Sequence, residues 1–306
     1  MKILIIGGSG HVSGAVARAA LARGDEVWTV TRGLRPLPEG VHALTADRAD
    51  ASALRGTVSG AGVEWDLVVD CICYRPEEME QDVALFPDTA GQFVYVSTDF
   101  VFDPPKRQFP QPEDGATLTS DGPGSLGYGF RKRQCELKLM EADTGGMRWT
   151  IVRPCHIYGP TSKLGCLPLH GRDAELIERL RRGETLKLVG GGYFLQQPVL
   201  ASDLAETILS VAGNACAFDN VFNVAGPDII ESWKYYDIVA ELLGVELKVE
   251  AAPVRPFLAE NPGLASHCCH RIYDRTKLRE SGLAVPSTPI ADGLRRHVEG
   301  LLGGGV

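Results

Sequence analysis

A glycine-rich turn directly after an apolar run constrains the fold of this chain more than any other feature. The sequence begins MKILIIGGSGHVSG, so glycines occupy positions 7, 8 and 10 right after the apolar run 2–6. Glycines allow a tight strand-to-helix turn and let a phosphate approach the backbone, and the helix N-terminus then offers free N–H groups. Ser13 stands where the third glycine of a dinucleotide-binding fingerprint is expected, with Gly14 next to it. Because serine is small, we expect slightly shifted packing and an intact site.

Strand-like and helix-like segments alternate through the first half of the chain. Apolar runs predict strands at residues 3–6, 26–31, 67–73, 92–97 and 150–153. Segments of helical period predict helices at residues 15–23, 76–85 and 128–142. This alternation is typical of parallel βαβ units, so we predict an α/β fold with a doubly wound, parallel Rossmann sheet.

The pattern loosens after about residue 160, where proline and glycine accumulate. We therefore assign residues 1–160 to the dinucleotide-binding domain, with segments near 196–226 returning to it. Residues 161–306 are predicted to form mainly a smaller α/β lobe that binds substrate. The Pro- and Gly-rich segment 103–127 is predicted to be a long loop, and loops of that length are usually functional or mobile.

Composition limits the class of partner. The formal charge of −8 disfavours nucleic acid or an anionic membrane as a partner held by bulk electrostatics. We see no apolar run of membrane-span length and no signal peptide. The eight cysteines show no disulfide framework, which indicates a reduced, cytoplasmic setting. No Cys or His cluster has the spacing of a zinc site, so we expect no metal.

The end of the second predicted strand indicates the form of the cofactor. NAD-specific sites place a carboxylate there for the ribose 2′-OH, whereas an arginine accommodates the 2′-phosphate of NADP. This chain has Thr31-Arg32, with Arg35 close by and no acidic residue. The sequence therefore favours NADP(H), with NAD(H) as the open alternative. Asp47, after a third extended segment, is in a position to accept a hydrogen bond from the adenine amino group.

A tyrosine and a lysine share one face of the predicted helix 128–142. Tyr128 and Lys132 are four residues apart, and a nearby cation would stabilise the phenolate of a group whose ordinary pKa is about 10. Ser97 and Thr98 end the strand before this helix, where a hydroxyl could bind the same substrate oxygen. Each feature is common alone; together with the glycine turn they point to carbonyl or carbinol chemistry.

The order of these motifs resembles one known superfamily. GGSGxxxG, VSTDFVFD, YGxxKxxxE, VRPxxIYGP and QPVLASDLA follow one another as in the extended short-chain dehydrogenase/reductases of the NAD-dependent epimerase/dehydratase type. The resemblance implies that Tyr128 is the acid/base, that Lys132 binds the nicotinamide ribose and lowers the tyrosine pKa, and that Thr98 binds the reacting oxygen.

The turn, the strand ends and the resemblance together predict the site residues. The predicted cofactor contacts are Gly7, Ser9, Gly10, His11, Val12, Arg32, Asp47, Cys71, Lys132 and Pro154. The predicted substrate contacts are Asp99, His156 and Gln196. For His156, a loop histidine that is hydrogen-bonded to backbone stays equally open, and Gln196 is similarly ambiguous.

Departures from the family pattern narrow the expected activity. The 4,6-dehydratases carry Asp-Glu after the catalytic Thr, whereas this chain has Asp99-Phe100. Where nucleotide-sugar epimerases carry an Asn and an Arg, this chain has His156 and Gln196 instead. STDFVFD resembles keto-sugar reductases, and other segments resemble a branch related to chloroplast stem-loop-binding proteins.

We therefore predict an NADP(H)-dependent oxidoreductase acting on a sugar or polyol-like small molecule. An NAD-dependent sugar epimerase and a non-catalytic RNA-binding relative are the alternatives, although we expect no nucleic-acid partner. A homodimer through helices 76–85 and 128–142 is plausible.

Overall fold

A computed structural model of the chain describes residues 1–119 and 127–303. Residues 120–126 of the predicted loop 103–127, and the last three residues of the predicted lobe, lie outside the described residues. The strands are β1 (Lys2–Ile6), β2 (Glu26–Thr31), β3 (His42–Thr45), β4 (Trp65–Asp70), β5 (Ala90–Val96), β6 (Arg148–Pro154), β7 (Ile157–Tyr158), β8 (Thr185–Val189), β9 (Leu195–Gln196), β10 (Val199–Leu200), β11 (Asn220–Val224), β12 (Ile230–Glu231) and β13 (Lys248–Ala252). The helices are α1 (His11–Ala22), α2 (Ala51–Gly60), α3 (Pro76–Leu85), α4 (Tyr128–Glu141), α5 (Leu176–Arg181), α6 (Ala201–Ser210), α7 (Ser232–Leu243), α8 (Val254–Glu260), α9 (Thr276–Glu280) and α10 (Ile290–Leu302).

A parallel sheet of seven strands forms the centre of the molecule. Its strand order is β11-β6-β5-β4-β1-β2-β3, and every neighbouring pair is parallel. Helices α1 and α6 pack on one face, while α2, α3 and α4 pack on the other. The predicted doubly wound Rossmann fold is therefore confirmed. The order reverses between β1 and β4, and ligands of such sheets bind beyond the carboxyl ends of the strands at this point.

A second hydrophobic cluster lies in the part of the chain after β6. It is built mainly from α5, α7 and α10, with the buried tyrosines Tyr158, Tyr235 and Tyr236 among its largest side chains. Three two-stranded sheets border it: β7 with β10, β8 with β13, and β9 with β12. These elements form a layer over the carboxyl ends of the central strands, so the molecule has a cleft at the switch point.

A buried carboxylate joins this layer to the central sheet. Asp99 follows β5 and is 1% exposed. Its oxygens accept hydrogen bonds from Arg271 Nε at 2.7 Å and Nη2 at 3.1 Å, and from the Tyr273 hydroxyl. Arg107 Nη2 lies 3.6 Å from the same carboxylate. Burial alone would raise the pKa of Asp99, but Arg271 and Arg107 hold it below its usual range. The pairing therefore fixes the chain after β5 against the strand-like segment at residues 271–273.

A second buried carboxylate positions α4. Glu136 is completely buried and accepts hydrogen bonds from Arg153 Nε at 2.9 Å and Nη2 at 2.8 Å. Arg133 Nη1 and Ser97 Oγ also donate to it, at 2.8 and 2.6 Å. Burial would raise the pKa of Glu136, but the Arg153 charge and these hydrogen bonds lower it. The network ties the middle of α4 to the ends of β5 and β6.

One glycine sets the distance between α4 and the turn after β5. A Cβ at Gly129 would lie 2.0 Å from the Phe100 carbonyl oxygen and 2.8 Å from its carbon. Backbone atoms cannot move aside as a flexible side chain can. Only glycine therefore lets the first turn of α4 approach this segment so closely.

Within residues 1–119 and 127–303, we find no helix that is both long and apolar enough to cross a membrane.

We expect Gly129→Ala to destabilise the protein by about 1–3 kcal/mol, because the new methyl group overlaps the Phe100 backbone. Urea unfolding measures this effect. Gly56→Ala is the matched control, since nothing lies within 4 Å of a Cβ at that helical glycine. The control should gain about 0.5–1 kcal/mol from the better helix propensity of alanine. Equal stability changes in the two variants would contradict the close approach.

We expect Glu136→Gln to lower the free energy of unfolding at pH 7 by about 3–5 kcal/mol, because it leaves the buried Arg153 charge unpaired. The folded-state pKa of Glu136 is lowered from 4.5. Its contribution is therefore present above pH 4.5 and is lost as the pH falls through the lower folded value. Urea unfolding at pH 7 and at steps below pH 4.5, down to about pH 2, should show the two proteins converging in stability only in the acidic range. Glu141→Gln, at the exposed end of the same helix, should change little, and a pH-independent gap would refute this account.

Candidate active site

A cavity of about 1110 Å³ opens at the carboxyl ends of β1, β4, β5 and β6. The glycine turn forms one wall, the start of α4 a second, and residues 165–172 and 257–267 form the opposite side. Cavities of a few hundred to a thousand cubic ångströms hold small molecules and cofactors. This cavity has room for a dinucleotide end together with a small substrate.

The glycine turn has the geometry that a phosphate site needs. Gly8 has φ = 129°, and a Cβ there would lie 2.5 Å from Thr29 Cγ2, so a side chain is excluded. The Ser13 hydroxyl accepts a hydrogen bond from the Gly10 N–H at 3.1 Å. A Cβ at Gly14 would lie 3.3 Å from the Gly8 carbonyl, so Gly14 keeps α1 close to the turn. The bare backbone and the N-terminus of α1 therefore fit the pyrophosphate of a dinucleotide.

His11 begins α1 and leaves one polar atom without a partner. Its Nδ1 lies 2.7 Å from Thr161 Oγ1, while its Nε2 is buried with no hydrogen bond among the described residues. Burial, followed by the charges of His297 and Arg172, lowers the pKa of His11 to about 4, so the ring is neutral at pH 7. The ring therefore ties the start of α1 to Thr161, in the segment that follows β7.

Arg32 and Asp47 lie at neighbouring strand ends. Thr31 pairs with Thr45, which brings the residues that follow β2 and β3 to the same edge of the sheet. Arg32 is exposed, and its guanidinium has no hydrogen bond or ion pair within the described residues. Asp47 is exposed and accepts a hydrogen bond from the Ala49 N–H at 2.9 Å.

The predicted cofactor residues divide into two groups. The cavity is lined by Gly10, His11, Val12, Cys71, Lys132 and Pro154. Four others lie outside this lining: Gly7, Ser9, Arg32 and Asp47. The second group belongs to the turn and to the strand ends beside it, so their contact with a cofactor stays a prediction.

Tyr128 and Thr98 meet on the cavity wall. Both residues line the cavity, and Tyr128 is 41% exposed. Burial is the main reason that the pKa of Tyr128 rises to about 12, and the nearby Thr98 hydroxyl lowers it in part. Ser97, the neighbouring hydroxyl, donates to Glu136 and is engaged elsewhere. Tyr128 is therefore a protonated phenol at neutral pH, with the Thr98 hydroxyl nearby.

Lys132 is held by two backbone carbonyls at the strand ends. Its Nζ donates to the Cys73 oxygen at 2.8 Å and to the Val96 oxygen at 2.7 Å, and the residue is 1% exposed. It also lies 4.3 Å from the centroid of the Tyr95 ring. Burial lowers the pKa of Lys132, and neighbouring groups such as Cys73 and Asp70 oppose this. An ammonium with two fixed partners keeps one proton for a further acceptor in the cavity.

The sequence reasoning missed several residues of the wall. Tyr74 lies between the predicted partners, with its ring centroid 6.3 Å from that of Tyr128 and 5.3 Å from Lys132 Nζ. Its place just after β4 is a signal that could have identified it. Arg172, His267 and Arg271 also line the cavity, and no local pattern marks them.

Two of the three predicted substrate residues already have side-chain partners in the protein. Asp99 lines the cavity, and its oxygens accept from Arg271 and Tyr273. Gln196 is 1% exposed and lies outside the cavity lining, where its Nε2 donates to Ser232 Oγ at 2.8 Å. Contact of either residue with substrate stays a prediction.

His156 stays a candidate for substrate contact. It lines the cavity, and its imidazole makes no hydrogen bond within the described residues. Burial, and then the charges of Arg271 and Arg172, lower its pKa well below the usual value. The predicted alternative of a ring bonded to backbone is not seen, so a neutral imidazole faces the cavity.

One buried acidic cluster lies beneath the wall. Ligand atoms of Asp70, Cys73 and Asp82 lie within 4.8 Å of one another. Arg48 Nη2 is 2.8 Å from Asp70 and 2.7 Å from Asp82, so a guanidinium already neutralises these carboxylates. The cluster is explained as an arginine-centred ion-pair network that joins β4 to α3.

A curated protein resembles this chain in sequence. The chain is 27% identical over 240 residues to the chloroplast stem-loop binding protein of 41 kDa b of Arabidopsis thaliana. That alignment covers 74% of this chain and 58% of the relative, so the chain spans little more than half of the relative's length.

Solved structures with the same fold include several epimerases. The UDP-glucose 4-epimerase of Thermotoga maritima superposes with a TM-score of 0.74 at 20% identity, covering 99% of both chains. The Bordetella bronchiseptica enzyme WbmH, solved with NAD+, gives 0.76 at 18% identity, covering 100% of this chain and 99% of its own. An epimerase of Methanothermobacter thermautotrophicus gives 0.80 at 15% identity, covering 99% and 92%. At these identities the likeness establishes the fold.

The family itself follows from a match along most of the sequence. The model of the NAD dependent epimerase/dehydratase family matches residues 3–225, from β1 to just beyond β11. This range contains the glycine turn, the Thr98 strand end and the Tyr128–Lys132 helix described above. The chain therefore belongs to the NAD dependent epimerase/dehydratase family.

Proposed function

We propose that this protein is an NADP(H)-dependent oxidoreductase that acts on a carbonyl or hydroxyl carbon of a sugar or polyol-like small molecule. The observation that carries the proposal is that the hydroxyls of Tyr128 and Thr98 and the buried Lys132 lie together on the wall of one cavity. We further propose that residues 1–160 hold the cofactor and that the lobe of residues 161–306 recognises the substrate.

In the reductive direction the residues have complementary roles. The cofactor, when bound, supplies a hydride to the substrate carbon. Tyr128 donates its proton to the substrate oxygen, because a phenol with a pKa near 12 is protonated at neutral pH. Thr98 donates a hydrogen bond to the same oxygen and so stabilises its developing negative charge. Lys132 is held in place by two carbonyls and has a proton left for a ribose hydroxyl.

The preference for NADP(H) rests on the end of β2. Arg32 is exposed and unpaired among the described residues, and neither Thr31 nor Gly33 beside it carries a carboxylate. A guanidinium at this position suits a 2′-phosphate, since it can form two parallel hydrogen bonds to phosphate oxygens.

An NAD-dependent sugar epimerase is the second candidate, favoured by the family match and by the epimerases among the structural neighbours. An epimerase would use the same residues twice, in opposite directions. A nucleic-acid-binding role is suggested only by the name of the Arabidopsis relative. The net charge of −8 and the Tyr128–Lys132 pair favour chemistry on a small molecule.

We expect Tyr128→Phe to lower kcat by a factor of about 10²–10⁴, because it removes the proton donor. NADPH affinity should stay within about twofold, since Lys132 and the glycine turn are untouched. The assay follows NADPH absorbance with a panel of keto-sugars. Tyr193→Phe is the matched control, because Tyr193 is 66% exposed and outside the cavity lining. Full activity of the Tyr128 variant would refute the mechanism.

We expect Arg32→Gln to weaken NADPH binding at least about tenfold and to leave NADH binding unchanged, because one charge-assisted contact to the 2′-phosphate is lost. Fluorescence titration of each nucleotide measures both affinities. Arg295→Gln, at an exposed position of α10, is the control.

Mass spectrometry of the nucleotide released from denatured wild-type protein separates the two candidate functions. A protein free of nucleotide that binds NADPH more tightly than NADH supports the exchanging oxidoreductase. Retained NAD, with no effect of the Arg32 substitution, would instead favour the epimerase.

A further inference from the structure

The cavity wall opposite α4 is formed by a short loop with an unusual backbone. We define the pinned loop as residues 164–173, between β7 and α5. Leu169 has φ = 78° and Arg172 has φ = 52°, which place two non-glycine residues of one loop in the left-handed region. A left-handed conformation of a non-glycine residue costs free energy and persists only where the surrounding structure holds it. Both also line the cavity, so the strained positions are the ones that face a ligand.

Hydrogen bonds close the pinned loop at its base. The Asp173 N–H donates to the Leu164 oxygen at 2.7 Å, and the Arg172 N–H donates to the Gly165 oxygen at 3.3 Å. A Cβ at Gly165 would lie 1.7 Å from the His170 oxygen, so the two arms of the loop are in direct contact. The base therefore fixes the backbone on both sides of the strained residues.

Two buried tyrosines of α7 fix the rest of the loop. The Tyr236 hydroxyl accepts from the Cys166 N–H at 3.1 Å and the Leu167 N–H at 2.9 Å, and donates to the His170 oxygen at 3.3 Å. The Tyr235 hydroxyl accepts from the Gly165 N–H at 3.3 Å. Both tyrosines are fully buried. The loop is thus a rigid element, and the direction of its cavity-facing residues is preset.

Arg172 is a cation without a partner on this wall. It is exposed, and its guanidinium makes no hydrogen bond or ion pair within residues 1–119 and 127–303. Burial has the largest influence on the pKa of Tyr128 and of His156, and the Arg172 charge acts on both and lowers each. The guanidinium therefore lies within electrostatic reach of the proposed acid/base.

Among the described residues, the remaining wall offers no carboxylate that is free to neutralise Arg172. The two carboxylates found there are Asp99, which is paired with Arg271, and Asp103, which lies 3.3 Å from Lys106. An unpaired guanidinium on a rigid loop in a concave site is suited to bind a carboxylate or a phosphate with two hydrogen bonds.

We propose that Arg172, presented by the pinned loop, binds an anionic group of the substrate, so that the enzyme acts on an acidic sugar or polyol carrying a carboxylate or a phosphate monoester. This inference rests on the proposed function, since it names the substrate class for the same cavity. The left-handed backbone conformation of Arg172 then serves to direct its guanidinium into the cavity.

Anion binding to the NADP+-saturated protein tests the inference without any turnover. Isothermal titration calorimetry measures the affinities of inorganic phosphate and of acetate, which represent the two candidate groups. We expect Arg172→Gln to weaken binding of at least one anion tenfold or more, and the anion more strongly affected identifies the group. Lys163→Gln is the control, because Lys163 is exposed one residue before the loop and does not line the cavity.

A second variant separates binding from folding. Arg172→Gly relieves the positive φ, so its Tm should equal or exceed that of the wild type while anion binding is lost. Unchanged anion affinity in both variants would overturn the inference. Equal weakening of NADP+ and of the anions would also overturn it, because Arg172 would then serve the cofactor. Tyr128→Phe should lose turnover and keep anion binding. This variant therefore tests the proposed function separately from anion binding by Arg172.

Discussion

The buried Asp99 carboxylate is the contact on which the site depends. A carboxylate removed from water remains ionised only if cations compensate its lost hydration, and Arg271 and Arg107 do so here. Arg107 comes from the loop after β5, whereas Arg271 comes from the far end of the chain. The charge of Asp99 is therefore fully compensated only when the segment that carries Arg271 is docked. Since Thr98 precedes Asp99 and Gly129 packs on the next residue, docking and assembly of the proposed catalytic pair are one event.

Local patterns in the sequence were sufficient to predict most strands and helices of the central sheet. The predicted bounds of β2 and α3 match the structure to the residue, because each has a clear period and a polar or proline boundary. The strand predicted at 67–73 ends earlier, at Asp70, whose side chain accepts from the Ile72 N–H at 2.7 Å and forms a turn. The two-residue strands of the lobe have no period to detect, so composition could not locate them.

The presence or absence of a local pattern also explains which site residues could be predicted. Tyr128 and Lys132 follow from helical spacing, and Thr98 follows from its position at a strand end, so each depends on a local rule. The partners of Asp99 and Gln196 could not be predicted because they are remote: Arg271 is 172 positions away from Asp99, and Ser232 is 36 positions away from Gln196. A local sequence pattern does not contain pairings between residues so far apart.

The charge of the cavity could not be predicted from the net charge of the chain. The chain as a whole carries a charge of −8, which by itself suggests a cationic or neutral ligand. Yet the carboxylates on the described cavity wall are paired, while Lys132 is bound only by carbonyls and Arg172 has no partner there. The field that a substrate meets is set by these few groups in a concave, poorly hydrated site, since surface charges are screened within about 10 Å. An acidic protein can therefore present a cationic pocket, and the sign of its ligand follows from local pairing.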